Sequence, residues 1–178
     1  MSELFTTAGQ RLMKELKRAN AYEVPRISHV VVNVGVGKQR DNKAFIEAVV
    51  KDLATITGQK PHERVARKAV AGFNVRQGNL VGYRVTLRGQ RAADFTERMI
   101  RVTLPRVRDF RGIPTSQFDG RGNISVGISE QLAFPEIQAD KTDVIFGLQI
   151  TFVTTARTNK DGQALMRALG FPLTNEQE

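Results

Sequence analysis

Two stretches of this 178-residue chain alternate with a period of two, the second strictly, the first with a second face that is only partly polar, and that alternation constrains the fold more than any other feature. From Ser28 to Val34, Val30, Val32 and Val34 fall on one side, leaving His29, Val31 and Asn33 on the other. In LVGYRVTLRG, Tyr83, Val85 and Leu87 oppose Arg84, Thr86 and Arg88. Successive side chains of a β-strand point to opposite faces, so each stretch predicts a strand with one face for a core and one polar face. Ser125–Ile128 and Phe146–Val153 predict further strands, the latter with Phe146, Leu148, Ile150 and Phe152 on one face. A cationic sheet face is either the solvated face of an antiparallel sheet or a seat for something anionic, and the second strand alone leaves both open.

The intervening segments carry helical spacing. Phe5, Ala8, Leu12 and Leu16 predict an amphipathic helix within residues 1–22, closed off by Pro25. Ile46, Val49, Leu53 and Ile56 predict a second, with Gly58 as its C-cap. Ala92, Phe95, Met99 and Val102 stripe a third, with Asp94–Arg98 and Glu97–Arg101 as i,i+4 pairs and Pro105 to kink or end it. A short helix over 161–169 precedes Gly170 and Pro172. Residues 60–80 are the least regular part, and RVRDFRGIPTSQFDGRGN reads as a long loop. No repeat, low-complexity tract or linker divides the chain, so a single domain spanning 1–178 is expected. Its class is α+β: an antiparallel or mixed sheet with helices packed on one face, long basic loops, and the other sheet face free to bind.

Composition narrows the partners. A hydrophobic content of 40% suffices for a core. The absence of cysteine removes disulfide and thiolate chemistry and points to a reducing, cytoplasmic setting. With no uninterrupted apolar region near the start and no run of 18 apolar residues, neither export nor membrane spanning is expected. Lys and Arg number 27 against 18 Asp and Glu, a net +9 that suits a polyanionic partner. The excess is concentrated. Residues 60–91 hold eight bases against the one acid Glu63, whereas residues 129–178 hold seven acids against four bases.

No catalytic constellation emerges. NVGVGKQR sets two glycines between a strand and a helix, but Arg40 stands where a dinucleotide fingerprint needs its third glycine, so a tight turn is the better reading. His29 and His62 have no Ser or carboxylate spaced as a triad, and read as a sheet and a loop histidine. Asp140 and Asp143 flank Lys141 in what reads as a solvated turn, and Asp109 and Asp119 sit among arginines, where salt bridges that order the loop are expected. Metal and cofactor are not expected, and neither is an enzyme.

VPRISHVVVNVGVG, then LATITGQKPHERVARKAVAGFNVRQGNLVGYRVTLRG, then PRVRDFRGIPTSQFDGRGNISVGISEQLAFPEI resemble the bacterial large-subunit ribosomal protein five family, the universal 5S-rRNA-binding family. The resemblance runs from about Val24 to Leu173, and GQKP, ARKAVAGF, VTLRG, RDFRG, FDGRGN and FPEI in this order make it specific. The resemblance implies a protein of the central protuberance that fastens 5S rRNA to 23S rRNA beside neighbouring ribosomal proteins. It implies a 5S-facing group of Asn33, Gln59, Lys60 and Thr86, with Arg67, Lys68 and Arg88 as phosphate partners. It implies a loop facing peptidyl-site tRNA made of Gly72, Phe73, Asn74, Val75, Arg76, Gln77, Gly78 and Asn79, with Phe73 either stacking on a base or pinning the loop to the core. It implies an inter-subunit side between Arg111 and Asn123, including Gly112, Asp119 and Arg121, toward small-subunit head protein thirteen. The first twenty or so residues match the pattern poorly and inherit no role. An assembly or RNA-remodelling factor sharing the fold is the alternative among binding proteins. An RNA-modifying enzyme would need a cofactor loop or catalytic group that the sequence does not offer.

Overall fold

A computed structural model describes residues 3–18, 20–138, 142 and 144–174. Helix α1 (Glu3–Glu15) leads to strand β1 (Ile27–Gly35), helix α2 (Lys43–Thr57) and strands β2 (His62–Val65) and β3 (Leu80–Arg88). Helices α3 (Gly89–Arg98) and α4 (Leu104–Arg106) flank a π-helical turn at Met99–Thr103. Strands β4 (Ile113–Pro114), β5 (Ile124–Ile128) and β6 (Leu148–Thr154), helix α5 (Asn159–Leu169) and strand β7 (Leu173–Thr174) complete the order. Five strands form one antiparallel sheet in the order β2-β3-β1-β6-β5, and β4 pairs with β7 in parallel.

Each long strand buries every second residue, as the alternation predicts. Val30, Val32 and Val34 of β1, Tyr83, Val85 and Leu87 of β3, and Leu148, Ile150 and Phe152 of β6 are buried. Between them Asn33, Arg88 and Gln149 are exposed and Arg84, Thr86 and Thr151 half-buried. One face of these strands therefore meets apolar side chains and the other does not, which is the α+β class expected. At about 1.5–3 kcal/mol for each fully buried large aliphatic or aromatic side chain, the covered face carries the fold.

The chain divides into two compact units, Met1–Val31 with Thr86–Val126 and Ile150–Glu178, and Val32–Val85 with Gly127–Gln149. In the first, α1 packs on α5, with Ala8 and Leu12 buried on α1 and Leu165 and Leu169 on α5. Phe152 meets Phe171 edge to face at 5.0 Å. In the second, the Asn42 side chain caps α2 and Gly58, at φ 65, ends it in the left-handed turn expected of it. Gln131, fully buried, donates to the Val144 carbonyl at 2.5 Å and accepts from the Phe146 N–H at 2.9 Å, which satisfies a segment that has no strand partner there. Asp52 of α2 lies beside it, and burial pushes that carboxyl above its usual range against the hydrogen bond from Gln131 and the charge of Lys51.

Four expectations are corrected. Val102 does not continue the stripe of the third helix: the π turn inserts one residue, so Thr103 and Leu104 are buried and Val102 is left 37% exposed. Glu97–Arg101, one of its two expected side-chain pairs, forms at 3.0 Å, and Asp94 also accepts from Gln90 at 2.7 Å. Residues 60–80 are an ordered hairpin. Ala66 and Asn79 continue the β2–β3 pairing and a Val70–Val75 bridge lies beyond them. The segment 106–123 is also more structured than a loop, because β4, a 3-10 turn at Thr115–Gln117 and a Phe118–Ile124 bridge hold it. Asp119 orders its end by accepting from the backbone N–H groups of Arg121 (2.8 Å) and Asn123 (3.1 Å), the place where salt bridges were expected.

Beyond Asp119, Gly122 and Gly162 touch backbone to backbone. A Cβ on Gly162 would stand 2.5 Å from the Gly122 carbonyl oxygen and 2.6 Å from its Cα. Replacing a helical glycine with alanine ordinarily stabilises by roughly 1 kcal/mol. Overpacking against backbone that cannot yield costs about 1–3 kcal/mol or more. Gly162→Ala should therefore lower the thermal unfolding midpoint, whereas an unchanged or raised midpoint would show that the contact can relax.

Candidate nucleic-acid interface

The sequence-predicted residues fall into three places. In the second unit, Asn33 is exposed on the uncovered side of β1. The left-handed turn at Gly58 delivers Gln59, half-buried, and Lys60, exposed; the Thr57 hydroxyl lies 2.6 Å from the Leu53 carbonyl and 3.1 Å from that of Gln59, sharing its one proton between the end of α2 and that turn. The antiparallel register sets His62 opposite Arg84 and Arg64 opposite Gly82, so His62, Arg64 and Arg84 share the uncovered face. Glu63 stands opposite Tyr83 on the other side, where burial, and next its charge, raise the Tyr83 phenol above its usual value. The single acid of the basic segment is thereby turned away from the cations. Gly82 is required here, since a Cβ on it would come 2.6 Å from the Val34 carbonyl oxygen.

Beyond β2 the hairpin narrows. Ala66 and Asn79 hold its neck through two 2.9 Å bonds, Gly78 N–H to the Ala66 carbonyl and Ala66 N–H to the Asn79 carbonyl. Val70 and Val75 close the tip around a 3-10 turn at Ala71–Phe73, with Asn74 left-handed at φ 51. Arg67, Lys68 and Arg76 are exposed along it, as are Gly72, Gln77 and Gly78. Phe73 is 80% exposed, so it does not pin the loop to the core. That task falls to Arg40, whose guanidinium donates to the Asn74 carbonyl at 2.8 Å.

In the first unit, Thr86 and Arg88 continue the uncovered face of β3. Arg111 and Arg121 are exposed, and Gly112 holds φ 101 where a Cβ would collide with the Thr174 hydroxyl. Partial burial acts to raise the Asp119 carboxyl, and the hydrogen bonds from the Asn123 side chain and the Arg121 and Asn123 N–H groups outweigh it, holding the group below its ordinary value. His29 and His62 each have a local partner, the Ser28 hydroxyl at 3.2 Å and the Glu63 carbonyl at 2.5 Å. Among the described residues no three His, Cys, Asp or Glu converge on a point that could hold a metal, and no helix is long and apolar enough to cross a membrane. Asp140, Lys141 and Asp143 lie outside the described residues.

A family model for ribosomal protein L5 matches residues 20–76, and a second, for the C-terminus of the same ribosomal family, matches residues 80–173. The chain belongs to the ribosomal protein L5 family. Large ribosomal subunit protein uL5 of Synechococcus sp. (strain RCC307) is 51% identical over 165 residues, covering 93% of this chain and 92% of that protein. Proteins of the same name are 49% identical in Fusobacterium nucleatum subsp. nucleatum, over 91% of this chain and 88% of theirs, and 50% identical in Prochlorococcus marinus (strain MIT 9313), over 93% of each. A member of this family is an RNA-associated constituent of the cytoplasmic ribosome and not an enzyme.

Arg40, His62, Arg64 and Arg84 join the candidate residues only in the structure. Arg84 was visible as part of a cationic strand face. Arg64 counted only as one of the eight bases of residues 60–91, and Arg40 and His62 had no signal, because Arg40 reaches a carbonyl 34 residues away and β2 has no alternation to declare it a strand.

The sign of the Asp119 effect is testable. Its lowered value means that it orders residues 119–123 above the ordinary carboxylate range and loses that hold as pH falls through its own, lower value. The Arg121 and Asn123 amide resonances should titrate with a midpoint below about 3.9, the ordinary aspartate value. A midpoint at or above it would remove Asp119 from this role.

Proposed function

We propose that the chain works in the large ribosomal subunit, where it binds 5S rRNA and attaches it to 23S rRNA in the central protuberance. The observation that carries this reading is the hairpin of β2 and β3. It presents Arg67, Lys68 and Arg76 to solvent, and its one acid, Glu63, lies on the face opposite His62, Arg64 and Arg84. Asn33, Gln59, Lys60 and Thr86 are the short-range partners of 5S rRNA, and Arg67, Lys68 and Arg88 its phosphate anchors. Short polar side chains can reach 2′-hydroxyls, sugars and base edges, while Lys and Arg neutralise phosphates without reading sequence.

Two further surfaces follow from the same reading. The hairpin tip at 72–79 contacts peptidyl-site tRNA, with Arg76 as a sequence-independent phosphate contact. Arg111, Gly112, Asp119 and Arg121 belong to a bridge toward the small-subunit head. The Asp119 hydrogen bonds and the Gly112–Thr174 approach favour this second assignment by giving the segment a fixed shape, which a bridge between large bodies needs.

Binding of 5S rRNA by the purified chain should weaken steeply with salt. Neutralising roughly four to seven phosphates gives a log–log slope on the order of −3 to −6. Lys68→Ala should reduce that slope by about one phosphate's worth, whereas Asn33→Ala should cost about 1–3 kcal/mol through a buried hydrogen bond left unpaired and keep the slope. A flat titration, or full binding in both variants, would contradict the reading.

A further inference from the structure

We propose that a groove beside Phe73 receives a nucleobase turned out of an RNA loop. The groove, of about 540 Å3, lies within the second unit between the β1–α2 turn, the hairpin tip and the chain entering β6. Val36, Phe45, Val75 and Phe146 make its apolar walls, and Phe73 and Ile145 stand at it 80% and 59% exposed. Two large apolar side chains held in water beside one groove leave unrealised burial that an entering apolar surface would recover.

The glycines lining the groove point the same way. Gly35 and Gly37 have no left-handed φ, and a Cβ on either would meet nothing within 4 Å. Neither backbone strain nor packing demands glycine there; its effect is to leave the space empty. Gly147, also in the wall, differs, because its Cβ would press on the Ile128 and Ser129 carbonyls at 3.2 and 3.3 Å.

Charge selects among apolar occupants. The neighbouring hollow, which shares Val75, is lined by Arg40 and Arg76, with Asp41 paired to Arg40 at 4.0 Å as the acid present. A cationic hollow on one side of an apolar slot suits a ligand with a flat apolar body on an anionic chain, which describes an unstacked base and its phosphates. This inference rests on the reading that the hairpin faces RNA and adds what the hairpin takes hold of.

The test uses the full chain and RNA hairpins whose loops carry one fluorescent adenine analogue that is quenched by stacking. The protein should quench the analogue on binding. Phe73→Leu, at an exposed position, should abolish the quench and weaken binding roughly 5- to 100-fold, the range of one base–aromatic stack. Gly37→Leu should do the same with the melting temperature unchanged, and if it unfolds the chain, Phe73→Leu decides alone. Arg76→Ala should weaken binding and lower the salt slope while leaving the quench at saturation intact. Full RNA affinity in Phe73→Leu alongside weakened binding in Arg76→Ala would overturn the base site and spare the RNA-facing hairpin. Full affinity in all three variants would overturn both. Loss in Phe73→Leu of a protein neighbour's binding, with RNA unaffected, would also overturn it by making the groove a protein contact.

Discussion

The structure depends on strands that are buried on one side only. Val30, Val32 and Val34, then Tyr83, Val85 and Leu87, supply the apolar side, and a shift of one residue would send His29 and Asn33 of β1, or Arg84 and Arg88 of β3, inward and their apolar neighbours into water. That penalty fixes the register, and the register then dictates everything on the uncovered side. His62, Arg64 and Arg84 share a face because Tyr83 must be buried, and Glu63 is turned away for the same reason. The core thus sorts the charges of the β2–β3 pair onto separate faces.

What the sequence made legible was whatever is encoded in nearby residues. Alternation revealed β1 and β3, 3.6-residue spacing revealed α1, α2 and the start of α3, and Gly58 and Gly170 marked helix ends that the structure confirms in left-handed conformation. What stayed hidden was set by partners distant in the chain. His62–Val65 is a strand because β3 pairs with it, not because its own residues alternate in character. The π turn at Met99–Thr103 has no pattern of its own and shows only in which residues end up buried. Asp119 looked like an arginine's partner by proximity in sequence, whereas the donors it accepts from include two backbone N–H groups, which no side-chain pattern can announce.

The candidate site divides along the same line. The exposed residues of the hairpin and Asn33 were found by motif, and the structure places them in solvent. Their supports were not found: Arg40 holding the Asn74 carbonyl, and the Thr57 hydroxyl shared between the end of α2 and the turn before Lys60. Contact residues are recognisable by type because their partner is external and chemically uniform. Supporting residues are recognisable only by geometry.

The central claim is that the uncovered face of the sheet meets RNA, and Thr86 tests it most directly. It sits half-buried in the middle of the cationic row of β3, between Arg84 and Arg88. Thr86→Glu places a carboxylate there while leaving the buried face untouched. Paired measurement of the melting temperature and of 5S rRNA affinity should show stability within about 0.5 kcal/mol of the parent, as for ordinary surface changes, with binding lost. Undiminished binding at unchanged stability would contradict the account.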